Sequence, residues 1–99
     1  MSRFVLVDPG ELYLPASRSQ GADPAKLARQ ISIYGDEIEG MPPIQVTRGK
    51  DGHLKINDGV TRATRAAKLR PNEFVLVEVI QELFNVNVTL TEKVKDRLP

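Results

Sequence analysis

The chain contains no cysteine, and this absence excludes several kinds of chemistry at once. Without a thiol, the protein has no disulfide, no thiolate metal site and no cysteine nucleophile. The absence also fits a reducing compartment, so the sequence predicts a cytoplasmic protein. A domain delivered by a dedicated secretion machine, or cut from a longer polypeptide, would have the same composition.

Long apolar runs are also missing from the sequence. None approaches the roughly 18–20 apolar residues that a helix needs to span a membrane, so we expect no membrane partner. The short apolar segment 4–7 is followed by Asp8 and Pro9, which interrupt it too early for a secretory signal. A length of 99 residues predicts a single domain.

Basic and acidic side chains nearly balance, since the net charge is +1, but they are unevenly distributed along the chain. Residues 1–43 carry a balance of −2, whereas residues 44–80 hold seven basic against four acidic side chains. A positive middle segment is compatible with binding to phosphate or nucleic acid, although a strongly basic binder carries far more charge. Charge alone therefore does not decide the ligand.

Local patterns in the first half predict a strand followed by a helix. Segment 4–7 is apolar and β-branched, as is typical of a strand. Asp23-Pro24 predicts a helix start, because Asp is a favoured N-cap and Pro fits the first helical position. Gly35 suits the end of that helix. The helix face predicted to be buried consists of Leu27, Ala28, Ile31 and Tyr34.

The second half predicts three further strands and a second helix. Segments 43–47 and 53–56 alternate like the arms of a hairpin around a turn at 49–52. Residues 74–80 form a nearly continuous apolar run, which is typical of a central strand buried on both faces. The tail is predicted to contain a short strand at 86–90 and a short, weak helix at 90–98. Together these elements predict a small α+β fold with a mixed sheet and two main helices.

The most informative segment is 57–69, where a predicted strand is followed directly by a predicted helix. Apolar residues alternate before Asp58-Gly59 and recur with helical spacing after it. A helix that begins at such a bend presents unpaired backbone N–H groups and the positive end of its dipole, which favour an anion. Arg62 and Arg65, about one turn apart, add guanidinium groups suited to phosphate oxygens. The segment therefore predicts a phosphate-facing site.

A second interpretation stays open for the same residues. Asp-Gly is also a strong tight-turn signal, so Asp58-Gly59 could close a hairpin between segments 54–56 and 60–61. Arginines on the exposed face of an amphipathic helix are commonly no more than solvated charges. The local pattern alone does not choose between a hairpin and a helix N-terminus.

Beyond these local patterns, the chain resembles the ParB/sulfiredoxin superfamily, and most of all its compact ParB-like nuclease domains. The residues that carry the resemblance are segments 43–46, 51–52, 56–63, 66–69 and 75–79, preceded by the helix 27–35. The resemblance implies a domain core at about residues 4–80 and an extension at residues 81–99. In that family the strand–turn–helix junction binds a nucleotide phosphate, and the arginine that closes the motif is the usual contact. The resemblance implies this role for Arg62, with Gly59 allowing close backbone approach.

The chain also departs from the family's motifs. Chromosome-segregation members carry Gly-Glu-Arg-Arg at the turn, whereas this chain has Gly59-Val60-Thr61-Arg62, which puts CTP hydrolysis in doubt. Sulfiredoxins carry a catalytic cysteine where Val60 stands, so their chemistry is excluded here. Other nuclease-type members carry Asp-Gly-x-x-Arg with a histidine before the arginine, and Thr61 replaces that histidine.

The candidate site residues follow from the junction and from the resemblance together. Asp58, Arg62 and His53 are the candidate catalytic residues, with Asp58 also the candidate ligand for Mg²⁺ or another divalent metal. Asp58 has a second interpretation as the N-cap of the following helix, and His53 as an idle turn residue. The candidate phosphate-binding residues are Gly59, Thr61, Arg62, Arg65 and Lys68.

Three functional hypotheses remain open from the sequence. The first is a small nuclease or nucleotide hydrolase, of the kind found in mobile elements or at the tip of polymorphic toxins, acting through Asp58 and Arg62. The second is a non-catalytic module that binds a nucleotide or nucleic-acid phosphate. The third is a protein-interaction domain that keeps the fold without the ligand.

Overall fold

A four-stranded mixed sheet organises the protein. A computed structural model describes residues 3–99. The strands and helices follow one another along the chain as β1 (Arg3–Val7), α1 (Pro24–Tyr34), β2 (Ile44–Arg48), β3 (Leu54–Asp58), α2 (Val60–Leu69) and β4 (Val75–Glu82). Short 3₁₀ turns at Pro9–Glu11, Ala16–Arg18 and Val94–Arg97 lie between or after them. The predicted α+β class, with a mixed sheet and two main helices, is confirmed.

The strand order in the sheet is β1-β4-β2-β3. The two outer pairings, β1 with β4 and β2 with β3, are antiparallel, whereas β2 runs parallel to β4. The parallel pair requires a crossover, and β3 with α2 provides that connection. As a result, α2 starts directly after β3, which is the strand at one edge of the sheet.

The hydrophobic core lies between one face of the sheet and α2. The sheet contributes β-branched side chains, and α2 contributes small alanines that allow it to approach closely. Segment 12–14 closes the core from the side with two buried leucines. The fully buried members include Leu12, Leu14, Ile44, Val46, Ile56, Ala63, Ala66 and Val77.

Helix α1 begins and ends as predicted. The Asp23 side chain accepts a hydrogen bond from the Ala25 N–H at 2.9 Å, and Gly35 ends the helix with a φ of 58°. The predicted buried face is confirmed only in part, although α1 packs against α2. Leu27 is buried, whereas Tyr34 is exposed. Of the other two members, Ile31 is half-buried and Ala28 is exposed.

Strand β4 has neighbours on both sides, but only one of its faces is buried. Val75, Val77 and Val79 point into the core, whereas Leu76 and Ile80 are 41% and 44% exposed. The prediction of a strand buried on both faces is therefore wrong. The reason is that α2 covers the buried face and α1 packs against α2, so both helices lie on the same side of the sheet. The apolar run in the sequence does not show which face the helices cover.

The segment after β4 is less regular than predicted. Segment 86–90 forms no strand, and in place of a helix over 90–98 there is a single 3₁₀ turn at Val94–Arg97. The segment nevertheless packs onto the domain, since Val88 and Val94 are buried. The Val94 N–H donates to the Leu12 carbonyl at 2.9 Å. Isolated bonds of this kind attach the tail without extending the sheet.

Ion pairs also attach the tail to the first 3₁₀ turn. The Lys93 ammonium donates to the Glu11 carboxylate at 2.7 Å, and Lys95 donates to its other oxygen. The hydrogen bond from Lys93, and then that from Lys95, lowers the pKa of Glu11 from its ordinary 4.5 to about 2. Within residues 3–99, neither helix is long or apolar enough to cross a membrane.

Candidate functional site

The junction between β3 and α2 forms a helix N-terminus. Strand β3 ends at Asp58, Gly59 adopts φ 112° and ψ 24°, and α2 starts at Val60. The hairpin in this region is closed by the turn that precedes β3, as β2 pairs with β3. The alternative of a hairpin at Asp58-Gly59 is therefore wrong.

Two features favour glycine at position 59. Its φ of 112° lies in the region that residues with a side chain rarely adopt. A Cβ atom at this position would lie 2.8 Å from the Arg62 Nη2 atom and 3.2 Å from the Ile44 Cγ1 atom. The absence of a side chain thus lets the Arg62 guanidinium fold back across the bend.

The first turn of α2 presents free backbone donors. Its first intrahelical bond runs from the Ala63 N–H to the Gly59 carbonyl at 2.9 Å, and no side chain caps the helix. Asp58, predicted as the N-cap, instead ends the strand. Between residues 3 and 99, no hydrogen bond is made by the N–H groups of Val60, Thr61 or Arg62. These groups carry the positive end of the helix dipole.

Arg62 adds a full positive charge to the partial positive charge at the N-terminus of α2. Its side chain is 18% exposed and reaches the Asp58 Oδ2 atom at 3.4 Å. Asp58 itself is 75% exposed, so this pair is a weak one. A cation at a helix N-terminus is unfavourable by about 0.3–1 kcal/mol. The junction therefore concentrates positive potential that one exposed carboxylate balances only in part.

A cleft of about 930 Å³ opens in front of the junction. One wall is the start of α2, and the opposite wall consists of the second 3₁₀ turn, α1 and the connector, which we define as residues 35–43. Arg18 and Lys26 line the cleft, and neither forms an ion pair with another of the described residues. Glu37 and Glu39 line it as well, so the cleft has both signs of charge.

Arg65 lines the cleft, but its guanidinium is occupied by the connector. It is 2% exposed and donates from Nη1 to the carbonyls of Gly35 at 3.1 Å and Glu37 at 2.6 Å. A longer contact of 3.4 Å joins its Nε to Gln30, and the guanidinium carbon lies 5.3 Å from the centre of the Tyr34 ring. Arg65 thus fastens the connector to α2 and shapes the wall of the cleft.

Two of the candidate residues lie away from the cleft. Lys68 donates to the Pro99 carbonyl at 2.9 Å. His53 lies on the hairpin, exposed, with its ring packed edge-on against that of Tyr13 at 5.4 Å. The structure therefore brings together Asp58, Gly59, Thr61, Arg62 and Arg65 around the cleft, without His53 or Lys68.

Asp58 is an isolated candidate for a metal ligand. In the described part of the chain, no three His, Asp or Glu side chains are grouped so that they could hold a metal ion. Any divalent cation at the junction would depend on Asp58 for its protein ligand and on water or a phosphate for the others. The donor set fits a cation held loosely through a ligand better than a resident metal.

Sequence reasoning did not identify the opposite wall of the cleft. Arg18 ends the second 3₁₀ turn, and Lys26 lies in the first turn of α1. No local pattern marks either residue, because each reaches the cleft through the tertiary packing of a segment that is distant from α2 in the chain.

The comparisons with known proteins assign no family to this chain. No protein-family model matches the sequence, and no curated protein does. The function is therefore argued from the geometry of the junction and the cleft.

Proposed function

We propose that the cleft binds the phosphate of a nucleotide or nucleic acid at the N-terminus of α2. The observation that carries this proposal is the uncapped first turn of α2, which faces the cleft beside the folded-back Arg62 guanidinium. Free N–H groups, the helix dipole and a guanidinium together favour a compact anion. A phosphate has enough oxygens to accept from the N–H groups and from the guanidinium at the same time.

The proposal gives each residue of the junction a separate role. The N–H groups of Val60, Thr61 and Arg62 donate to the phosphate oxygens, and Gly59 permits close approach. The Arg62 guanidinium exchanges its 3.4 Å contact with Asp58 for a phosphate oxygen. On the opposite wall, Arg18 and Lys26 are available for further phosphates or for the backbone of a nucleic acid.

A ParB/sulfiredoxin-like fold is part of the same proposal. The element order β, α, β, β, α, β and the glycine bend between β3 and α2 support it. Asp58-Gly59-x-x-Arg62 at that bend is the sequence motif that such a fold would use. This assignment predicts the phosphate at the same place as the electrostatic argument does.

Whether the bound phosphate is also cleaved depends on Asp58. As a small DNase or nucleotide hydrolase, the protein would use Asp58 to hold Mg²⁺ against the phosphate and Arg62 to stabilise the transition-state charge. The adjacency of these two side chains at the helix N-terminus favours this second candidate function. As a non-catalytic module, the protein would hold no metal at Asp58, and the bound phosphate would simply displace the Asp58 carboxylate from Arg62.

A thermal-shift panel with inorganic phosphate, nucleotides and short DNA tests the binding proposal. At about 100 times the dissociation constant, a ligand stabilises the protein by about 2.7 kcal/mol. For a domain of this size, this corresponds to a rise in melting temperature of roughly 10–20 °C. Arg62→Gln should abolish the rise, whereas Arg29→Gln, on the exposed surface of α1, should preserve it.

The panel contradicts the proposal if no phosphate compound changes the melting temperature. An equal rise in wild type and Arg62→Gln would place binding elsewhere on the protein. A partner captured in a pull-down, with every phosphate titration silent, would favour the interaction domain instead.

Asp58→Asn separates the two modes of binding. If phosphate binds without metal, the substitution removes a competing carboxylate and strengthens binding. If Mg²⁺ bridges Asp58 and the phosphate, the substitution removes the Mg²⁺-dependent part of the affinity and any nicking of plasmid DNA. Equal nicking by wild type, Asp58→Asn and Arg62→Gln would assign the activity to a contaminant or to another site.

A further inference from the structure

The face of the sheet opposite α2 carries an apolar patch, formed by Phe4, Leu6, Leu76 and Ile80. Their exposed fractions are 54%, 64%, 41% and 44%. On this face Leu6 lies directly opposite Leu76. Phe4 lies opposite Glu78, whose carboxylate stands between Leu76 and Ile80 and accepts a hydrogen bond from the Gln45 side chain. Contiguous exposed apolar side chains on a sheet commonly mark an interaction surface.

The patch extends to an open edge of the sheet. At the other edge, Tyr13 covers β3, since its N–H donates to the Leu54 carbonyl and its carbonyl accepts from the Ile56 N–H. β1 is the last strand on its side, and in the described chain no further segment bonds to its outer backbone groups. Unpaired N–H and C=O groups along a strand are a template for another strand.

We propose that a second copy of this chain pairs with β1, in antiparallel orientation across a two-fold axis at Val5. Pairing of a strand with itself is self-complementary, as a closed dimer requires. Centring the pair on Val5 uses all five residues of β1. It places Phe4 opposite Leu6 of the second copy on the outer face, so the two apolar patches join into one.

The charges of β1 permit this register. Its one charged residue, Arg3, would lie opposite Val7 of the second copy, and it already pairs with Glu82 of its own chain at 3.2 Å. No like charges meet along the strand. β1 also lacks the proline or inward-pointing charge with which edge strands commonly resist pairing. A five-residue strand forms a small interface, so we expect a weak, concentration-dependent dimer.

Two double variants test the register together with the dimer. In Phe4→Lys/Leu6→Lys, like charges face each other across the axis, whereas in Phe4→Lys/Leu6→Glu opposite charges do; both variants place the same lysine opposite Glu78 of their own chain. Both variants replace the same exposed apolar side chains, so the loss of apolar surface is matched between them. Facing opposite charges stabilise paired strands and facing like charges destabilise them. The charge-swapped variant should therefore dimerise at least about tenfold more tightly than the double-lysine variant.

Sedimentation equilibrium from about 10 µM to about 1 mM measures the association. Wild type should pass from monomer to dimer across this range, and Ile33→Lys, an exposed apolar position on α1, should behave like wild type. Circular dichroism confirms that each variant folds.

A wild type that stays monomeric throughout this concentration range overturns the proposal. The open edge of β1 would then suit a strand of another protein. A double-lysine variant that dimerises as tightly as the charge-swapped one also overturns the proposed register. No residue of β1 lines the cleft, so phosphate binding neither supports nor weakens this result.

Discussion

The loss of the Arg65 guanidinium should destabilise the whole domain while leaving the charge of the cleft unchanged. Arg65→Lys keeps the positive charge, but a single ammonium group on a shorter side chain cannot reproduce the planar set of donors. In the structure that set spans the carbonyls of Gly35 and Glu37 and also reaches Gln30. The connector therefore loses part of its attachment to α2.

The size of the effect follows from the bonds that the lysine cannot make. A hydrogen bond to a charged group contributes about 1.5–3 kcal/mol, and an acceptor left buried without a partner adds to the loss. If lysine retains one of the two carbonyl bonds, we expect a loss of about 2–4 kcal/mol. A domain of this size has about 5–15 kcal/mol of stability in total, so the loss is a large fraction.

Urea unfolding followed by far-ultraviolet circular dichroism measures the loss. The matched control is Arg62→Lys, whose one ion pair, with the exposed Asp58, is worth about 0.2–1 kcal/mol. We expect a clear fall in the midpoint for Arg65→Lys and little change for Arg62→Lys. Equal midpoints for wild type and Arg65→Lys would refute the conclusion that this guanidinium holds the connector.

Two further predictions concern the bend and the tail. Gly59→Ala should lower the free energy of unfolding by about 2 kcal/mol or more in the same urea assay, because a left-handed φ alone costs an alanine roughly 1–2 kcal/mol. An unchanged midpoint would contradict the conclusion that the positive φ at this position favours glycine. Glu11→Gln should be less stable than wild type at pH 7 by about 1 kcal/mol or less, since the carboxylate is 46% exposed and screened by solvent. Because the pKa of Glu11 falls to about 2 in the fold, that difference should persist above about pH 4.5 and vanish as the pH falls towards 2. A difference that is independent of pH would show that the lysines do not act through this carboxylate.

The parts of the fold that local chemistry determines could be predicted from the sequence. Asp23, Pro24 and Gly35 set the limits of α1 through contacts within a few residues. At Asp58-Gly59 the sequence permitted two local structures, and tertiary packing selected the helix. β2 pairs with β3 through the preceding turn, and α2, which starts directly after Gly59, covers the sheet.

The parts that could not be predicted depend on contacts between distant segments. Arg65 has the same local pattern as Arg62, yet its partners lie 24–35 residues earlier in the chain. The exposed face of β4 likewise depends on where the helices pack, which the apolar run 74–80 does not encode. For the candidate site, the junction was therefore predictable, whereas the opposite wall of the cleft was not.

The most direct test of the central claim is a titration of the ¹⁵N-labelled protein with inorganic phosphate, followed by two-dimensional NMR. If the start of α2 is an anion site, the amide signals of Val60, Thr61 and Arg62 should shift first and furthest, and Arg62→Gln should reduce these shifts strongly. His53 and Lys68, which lie outside the cleft, should show no comparable change. Saturable shifts centred elsewhere, or none at the first turn of α2, would contradict the account.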